Sequence, residues 1–462
     1  MSYWKDGEIG IEVLATQSLR GQSMNFIENA KTWLSATPAH WPSEPSPGLL
    51  QFQPAAAGLA PQPGWRQAQA VYPAVPPKIL LYSHDTFGLG NIRRTLLLAD
   101  DFIARYPGAS ILIITGSPMI QAFRIPEGVD YIKLPCLDRV GAEHYAPRFL
   151  ARCTSEVKAT RAAILKESVL GFAPDLMIVD KRPSGVDGEL LETLSALRSR
   201  GMSTKLVLGV RDILDEPERT RIVLANNGSF ATLDRFYDEV WIYGSKSIFD
   251  TAAEYGFPDS VMRKTHYVGY LKRPTLPAQG SDGPPRILVT TGGGGDGSEM
   301  IEAYLIGLSG LARSVAMRST VVFGPQMPDA RRKDLLARFG HFADVKFLDF
   351  DPDLTKHYAV SDVVVSQAGY NTVCELLSFS QRAILVPRSE PVREQLIRAR
   401  LLAARGFFDI VEPQDLTPEF LMSTILNTLT AQPRRTAALD LDGLPRIRGR
   451  VGELLDQMER DD

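Results

Sequence analysis

Residues 361–406 read SDVVVSQAGYNTVCELLSFSQRAILVPRSEPVREQLIRARLLAARG. Val363–Val365 is a short apolar run of strand character, and Gly369 ends it in a turn. A helix-like segment follows, then a second apolar run, Ala383–Val386, closed by Pro387. Beyond a loop, Arg393-Glu394-Gln395 opens another helix-like segment that runs to Gly406. The order strand, glycine turn, helix, strand, loop, helix is a βαβ unit. It sets Gly369 and Pro387 at the carboxyl ends of parallel strands, where open α/β sheets bind ligands. Gly369 lets a ligand approach the backbone. Asn371 and Thr372 fall where the helix begins, so their N–H groups and the Thr372 hydroxyl suit a phosphate. Glu375 lies one turn on, where a carboxylate can accept two hydrogen bonds from a ribose diol. Glu394 and Gln395 can pair with sugar hydroxyls. Each residue alone fits an ordinary capped βαβ unit; the ordered set is more specific.

That set resembles the donor-site signature of the GT-B glycosyltransferases. The likeness is to family 28, typified by the peptidoglycan N-acetylglucosaminyltransferase. The family pattern is Ser-x-x-Gly-x-x-Thr-x-x-Glu, then Pro, then a Gln pair or an acidic residue with Gln. Here it is Ser366, Gly369, Thr372, Glu375, Pro387, Glu394 and Gln395, at matching spacing. The resemblance implies that Glu375 holds the donor ribose and that Glu394 and Gln395 hold the donor sugar. Where the family has Asn three residues after its Gln pair, this chain has Arg398.

The chain has 462 residues, enough for two domains and an appendage, and its 44% apolar content supports large cores. A formal net charge of −3 gives no bulk attraction to nucleic acid. The three cysteines, Cys136, Cys153 and Cys374, are an odd number without CxxC spacing. They predict neither a disulfide framework nor a zinc site and fit a reducing cytoplasm. No 18-residue apolar run predicts a membrane span, which leaves room only for peripheral membrane contact, and MSYWKDGEIG lacks the regions of a signal peptide. Residues 1–77 form a Pro/Trp-rich extension holding four of the five tryptophans, Trp4, Trp33, Trp41 and Trp65. It reads as a flexible leader or as an arm that docks a partner or a second subunit.

Residues 78–273 read as one doubly wound, Rossmann-like domain. Ile79–Tyr82 is a buried first strand, followed by SHDTFGLGNIRRTLLLADDF (83–102), a glycine turn at Gly88 and Gly90 and a helix from about Asn91. By resemblance this turn faces the acceptor. Many relatives carry Gly-x-Gly-His there; this chain has Asn91, which cannot act as a base. His84 and Asp85 at the strand end are then candidate bases. Further strands end at Asp180 and Lys181, at Arg211 and Asp212, and at Gly244. Asp180, Lys181 and Arg211 are expected to line the acceptor side, with Asp212 a third candidate base; each pair also suits a local ion pair. DKRPSGVDGEL (180–190) and RDILD (211–215) resemble segments of a bacterial branch of family 28-like glycosyltransferases, a likeness spanning most of residues 78–445.

Residues 274–285 read as a linker. Just before them, Gly269-x-x-x-Arg273 matches a family element whose arginine reaches the donor diphosphate. Residues 286–445 form the second Rossmann-like domain. Its first strand runs into Gly292, Gly293, Gly294 and Gly295, a turn for phosphate or sugar. The family has Ser where Gly294 stands. By resemblance, the loop FDPDL (350–354) grips the base edge; Asp351 replaces an apolar residue there, so the base is left open. Asp351-Pro352-Asp353 is formally a DxD, read here as turn chemistry, and no metal is implied. Residues 446–462 end in a helix over Arg450–Met458, expected to return to the first domain.

The expected architecture is thus α/β with a GT-B fold: two Rossmann-like doubly wound domains facing across a cleft, with the N-terminal extension. The expected activity is transfer of a hexosyl group from a nucleotide-diphosphate sugar, as co-substrate and with no cofactor, to an unknown acceptor hydroxyl, inverting and metal-independent. The alternative is a non-catalytic GT-B protein that binds a nucleotide sugar or a partner enzyme. A sugar-nucleotide epimerase, which shares the fold, is a third reading.

Overall fold

The central strands of both halves are runs of Ile, Leu, Val and aromatic residues buried on two faces, as parallel strands covered by helices require. The computed structural model describes residues 75–84, 89–139, 145–279, 283–311, 316–431 and 439–461. The leader to residue 74, with its tryptophans and the docking-arm expectation, lies outside the described residues, as do Asp85 and Gly88.

In chain order the first lobe carries β1 (Lys78–Ser83), β2 (Ser110–Thr115), β3 (Val129–Lys133), β4 (Leu137–Arg139), β5 (Tyr145–Pro147), β6 (Leu176–Asp180), β7 (Lys205–Arg211), β8 (Glu239–Tyr243) and β9 (Thr265–Tyr267). Seven of them form one sheet in the order β3-β2-β1-β6-β7-β8-β9, while β4 and β5 pair separately as an antiparallel hairpin. The second lobe carries β10 (Arg286–Thr290), β11 (Arg318–Val322), β12 (Val345–Leu348), β13 (Val363–Ser366), β14 (Ala383–Leu385) and β15 (Asp409–Ile410). Their order is β12-β11-β10-β13-β14-β15. All pairings within the two large sheets are parallel. Each sheet therefore reverses its winding once, between β1 and β6 in the first lobe and between β10 and β13 in the second. Those reversals are the crevices where doubly wound sheets take ligands.

The helices differ from expectation mainly at their ends. The first begins at Gly90, one residue before the expected start at Asn91, and runs to Arg105. The C-terminal helix spans Gly443–Asp461, 19 residues and so nearly three turns longer than expected, and Gly443 N donates to the Tyr270 carbonyl at 3.1 Å at its start. This helix returns to the first lobe: Arg448 Nε reaches Asp101 at 2.8 Å, and Arg446 Nη1 donates to the Val268 carbonyl at 2.9 Å. Of the segment 274–285, residues 274–279 carry no regular structure. Among the described residues no helix is long and apolar enough to cross a membrane.

Candidate functional site at the junction of the lobes

The two winding reversals face one another, and most of the residues singled out in the sequence meet there. In the second lobe, Ser366 of β13 lies across from Thr290 of β10, so the loops leaving these strands emerge side by side. The loop after β10 turns through Gly292, with φ +65°, and Gly294, with φ +92°. A side chain at Gly294 would run into the Phe323 carbonyl and sit 3.0 Å from that of Gly324. The glycine that replaces the family's Ser is thus imposed by this tight turn. Gly293 accepts from Gln326 N at 2.8 Å, and Gly295 continues the turn toward Asp296.

The loop after β13 leads into the helix Tyr370–Ser378, whose N-cap, Gly369, supplies no side-chain cap. The helix's first N–H groups are thus free of a side-chain cap and point out of the helix end, the arrangement that attracts anions. A Cβ at either Gly292 or Gly369 would lie 3.9 Å from Thr372 Oγ1, so that hydroxyl stands between the two turns. Ser366 is buried and hydrogen-bonds the Gln367 carbonyl at 3.2 Å. Arg273 spans the lobes: its Nη2 reaches Asn371 Oδ1 at 2.5 Å and its Nη1 the Arg93 carbonyl at 3.1 Å. Burial lowers the Arg273 pKa from its ordinary value, partly offset by the nearby Glu375.

Glu375 is held by Arg93 of the first lobe and by Tyr358, whose hydroxyl donates at 3.0 Å. Glu394 and Gln395 begin the helix Glu394–Ala404. Gln395 Oε1 accepts from Ala368 N at 3.2 Å, tying it to the β13 loop. Glu394 lies between Arg388 at 3.1 Å and the first-lobe Arg211 at 4.0 Å. Burial lowers the Arg211 pKa, with Glu394 opposing.

On the first-lobe side, His84 follows β1 and Asp180 ends β6. His84 Nδ1 lies 3.2 Å from the Asp180 carbonyl. A carbonyl only accepts, so Nδ1 carries the proton and Nε2 keeps its lone pair. Burial first, then Arg182 and Lys181, push the His84 pKa well below its ordinary value. Lys181 adopts φ +66°, a left-handed conformation that a non-glycine residue holds only where its surroundings enforce it. The Asp180 carboxylate is bound by Arg94, which is buried between the rings of Tyr243 and Tyr370 at 5.6 and 5.7 Å. Asn91 Oδ1 accepts from Arg94 Nη2 at 3.1 Å, and the Gly90 carbonyl accepts from Asn371 Nδ2 at 2.6 Å.

Asp212 crosses to the second lobe: Arg398 Nε and Nη2 reach it at 2.9 and 2.7 Å, and the Tyr270 hydroxyl donates at 3.1 Å. Asp351 lies on the loop after β12, where Lys356 and His357 hold its carboxylate at 2.8 and 2.9 Å. Its Oδ1 also closes a turn with Asp353 N at 3.1 Å, which is the turn chemistry read from the DxD.

Sequence reading passed over Arg93, Arg94, Tyr358, Tyr370 and Arg388. The signal for the first two was present: adjacent arginines in the first turns of the helix right after a glycine turn. Several buried polar atoms at this junction have no hydrogen-bond partner among the described residues: Arg94 Nη1, Asp180 Oδ2, Arg211 Nε, Arg273 Nε and Glu394 Oε2. Unpaired buried polar atoms are costly, and their gathering here marks a surface built to meet polar groups.

The glycosyltransferase family 28 C-terminal domain matches residues 287–440. A UDP-N-acetylglucosamine–N-acetylmuramyl-(pentapeptide) pyrophosphoryl-undecaprenol N-acetylglucosamine transferase of Haemophilus influenzae is 35% identical over 115 residues, 24% of this chain and 32% of that protein. The protein of the same name from Actinobacillus pleuropneumoniae is 36% identical over 87 residues, 19% of this chain and 24% of its own. The chain thus spans a third or less of the curated relatives it matches. The calicheamicin glycosyltransferase CalG4 superposes with a TM-score of 0.53 at 16% identity, covering 82% of this chain and 98% of that one. The UDP-GlcNAc 2-epimerase of Neisseria meningitidis, solved bound to UDP-GlcNAc, superposes with a TM-score of 0.50 at 11% identity, covering 81% and 99%. At such identities the likeness is one of fold, which transferases and epimerases share. Residues 287–440, a third of the chain, thus match the glycosyltransferase family 28 C-terminal domain, and the two lobes together have the GT-B fold.

Proposed function

We propose that this protein transfers a hexosyl group from a nucleotide-diphosphate sugar to an acceptor hydroxyl, by a single inverting displacement and without a metal. One observation carries the reading. The family 28 motif residues Gly369, Thr372, Glu375, Glu394 and Gln395 gather at the winding reversal of the second sheet and face His84 and Asp180 at the reversal of the first. In this reading Glu375 takes the ribose diol. The diphosphate lies over Gly292–Gly295 and the amino end of Tyr370–Ser378, beside Arg273. Glu394 and Gln395 hold the donor sugar.

The acceptor oxygen attacks the anomeric carbon as the bond to the diphosphate breaks. The acceptor proton passes to a base on the first lobe, and the negative charge leaves on the diphosphate. Arg273 and the helix-end N–H groups stabilise that charge where it develops. His84 suits the base better than Asp212, because its Nε2 is unprotonated while the Asp212 carboxylate is taken by Arg398 and Tyr270. Asp85 remains the other candidate. We assign the protein to the cytoplasm on its cysteine usage, with peripheral membrane contact allowed.

The test is a thermal-stability screen with UDP-, GDP- and dTDP-sugars, followed by transfer assays. A donor that binds the folded state alone raises the melting temperature by mass action. Product that forms only with an acceptor supports transfer. Donor turnover without an acceptor would make the protein an epimerase, and tight binding without any turnover would favour the non-catalytic reading. Failure of every nucleotide sugar to bind would overturn the proposal.

A further inference from the structure

Glu375 is the carboxylate on which the donor reading rests, and both its oxygens are engaged. Oε1 pairs with Arg93 Nη2, and Oε2 accepts from Tyr358 at 3.0 Å. The two ion-pair partners come from different lobes. Arg93 stands in the first turn of the helix Gly90–Arg105, and Glu375 in the middle of Tyr370–Ser378. The pair is well covered, with side-chain exposures of 17% for Arg93 and 4% for Glu375. It is also stitched in place. The Arg93 carbonyl accepts from Arg273 at 3.1 Å, and the Gly90 carbonyl accepts from Asn371 at 2.6 Å. Thus the start of the first-lobe helix is clipped onto the start of the second-lobe helix through the residues expected to meet the diphosphate and ribose.

A vicinal diol that donates to both oxygens of Glu375 must enter the space beside Oε1 that the Arg93 guanidinium fills. We infer that Arg93 and the donor ribose compete for Glu375, so that the Arg93–Glu375 pair is a latch across the cleft that nucleotide binding opens. Arg93 is then a positioning residue of the donor site on the opposite lobe. The inference rests on the reading of Glu375 as the ribose carboxylate. Its consequence has a definite sign: nucleotide affinity is lowered by the free energy needed to release Arg93, so removing Arg93 tightens binding.

The experiment is calorimetry on the full chain with UDP, GDP and ADP and with the 2′,3′-dideoxy counterpart of each. The proteins are wild type, Arg93→Ala, Arg93→Lys and Glu375→Gln. For a pair between the exposed and buried limits, Arg93→Ala should bind the preferred ribonucleotide about fivefold more tightly, which corresponds to about 1 kcal/mol. The dideoxy counterpart should bind Arg93→Ala and wild type alike, because it makes no demand on Glu375. Arg93→Lys, which keeps the charge without the planar fork, should fall between and serves if Arg93→Ala does not fold. Unchanged or weaker ribonucleotide binding in both Arg93 variants, or an equal gain for the dideoxy compound, would overturn the latch. If Glu375→Gln leaves the ribo-to-dideoxy preference unchanged, or if no nucleotide binds wild type, the ribose reading itself fails and the latch falls with it. A preference that depends on Glu375 while Arg93→Ala is silent overturns the latch alone.

Discussion

Replacing Asp212 by Asn tests the ion pair that joins the lobes most deeply. Asp212 ends the first-lobe strand β7 region and Arg398 lies on the second-lobe helix Glu394–Ala404; their side chains are 2% and 0% exposed. Arg398 gives Asp212 two nitrogens, at 2.9 and 2.7 Å, and its third to the Ala368 carbonyl at 2.9 Å. Asn keeps the shape and can still meet the Tyr270 hydroxyl, but it leaves a buried guanidinium without a counter-charge. Breaking one side of such a pair costs about 3–5 kcal/mol. The compact unit Ala70–Asp462 has roughly 390 residues. At about 2.1 cal/mol/K per residue, its unfolding entropy is ~0.8 kcal/mol/K. Asp212→Asn should therefore lower Tm by ~4–6 K in scanning calorimetry. Asp212→Leu combined with Arg398→Met removes both charges and should recover at least half of the loss, because well-packed apolar replacements of buried pairs are often neutral or better. A Tm within ~1 K of wild type for Asp212→Asn, or a double variant no better than the single, would refute the reasoning, since an uncompensated buried charge is what it invokes.

Gly294→Ser, which restores the residue common in the family, should destabilise the protein by about 1–3 kcal/mol, read in urea unfolding, because φ +92° and the Phe323 carbonyl leave no place for a side chain. Burial lowers the His84 pKa below its ordinary value. The unfolded chain then takes up that proton first. The stability conferred by the neutral ring is complete above about pH 6.5 and is lost as pH falls from there toward the folded pKa. His84→Gln should lack this part of the pH dependence of Tm. In a transfer assay, His84→Ala should cut the rate by about 10²–10⁴ with donor affinity nearly intact, as loss of a general base does. Glu375→Ala should weaken nucleotide-sugar binding by about 1.5–3 kcal/mol in calorimetry, the usual worth of charge-assisted hydrogen bonds. The helix itself tolerates Ala, but the change strands Arg93 and the Tyr358 hydroxyl, so Tm falls as well and the affinity is compared on protein shown to be folded.

Much of the fold was legible because buried parallel strands are apolar along their whole length. Ile79–Tyr82, Ile178–Val179 and Val363–Val365 announce themselves, and the polar residues after each mark the strand ends. Half-exposed strands were not legible. Val129–Lys133 mixes polar and apolar residues at the sheet edge with no clear period, and Thr265–Tyr267 is three residues long, too short to leave a pattern. The start of the last helix was passed over although its pattern was present: Leu444, Ile447, Val451, Leu454 and Met458 recur at helical spacing and pack on the core.

What the sequence by itself determined is the set of groups that short-range order dictates. Gly369, Thr372 and Glu375 must share one helix start, the four glycines from Gly292 must form a turn, and Glu394-Gln395 must open the next helix, because helix and turn geometry follow from neighbours in the chain. Only the tertiary structure decided what those groups face. Arg93 and Glu375 are 282 residues apart, and Asp212 and Arg398 are 186 apart. Nothing in the local pattern of either partner names the other. Such pairs form because two independently wound sheets bring their crevices together, and charged side chains buried at that junction must find a counter-charge wherever the chain supplies one.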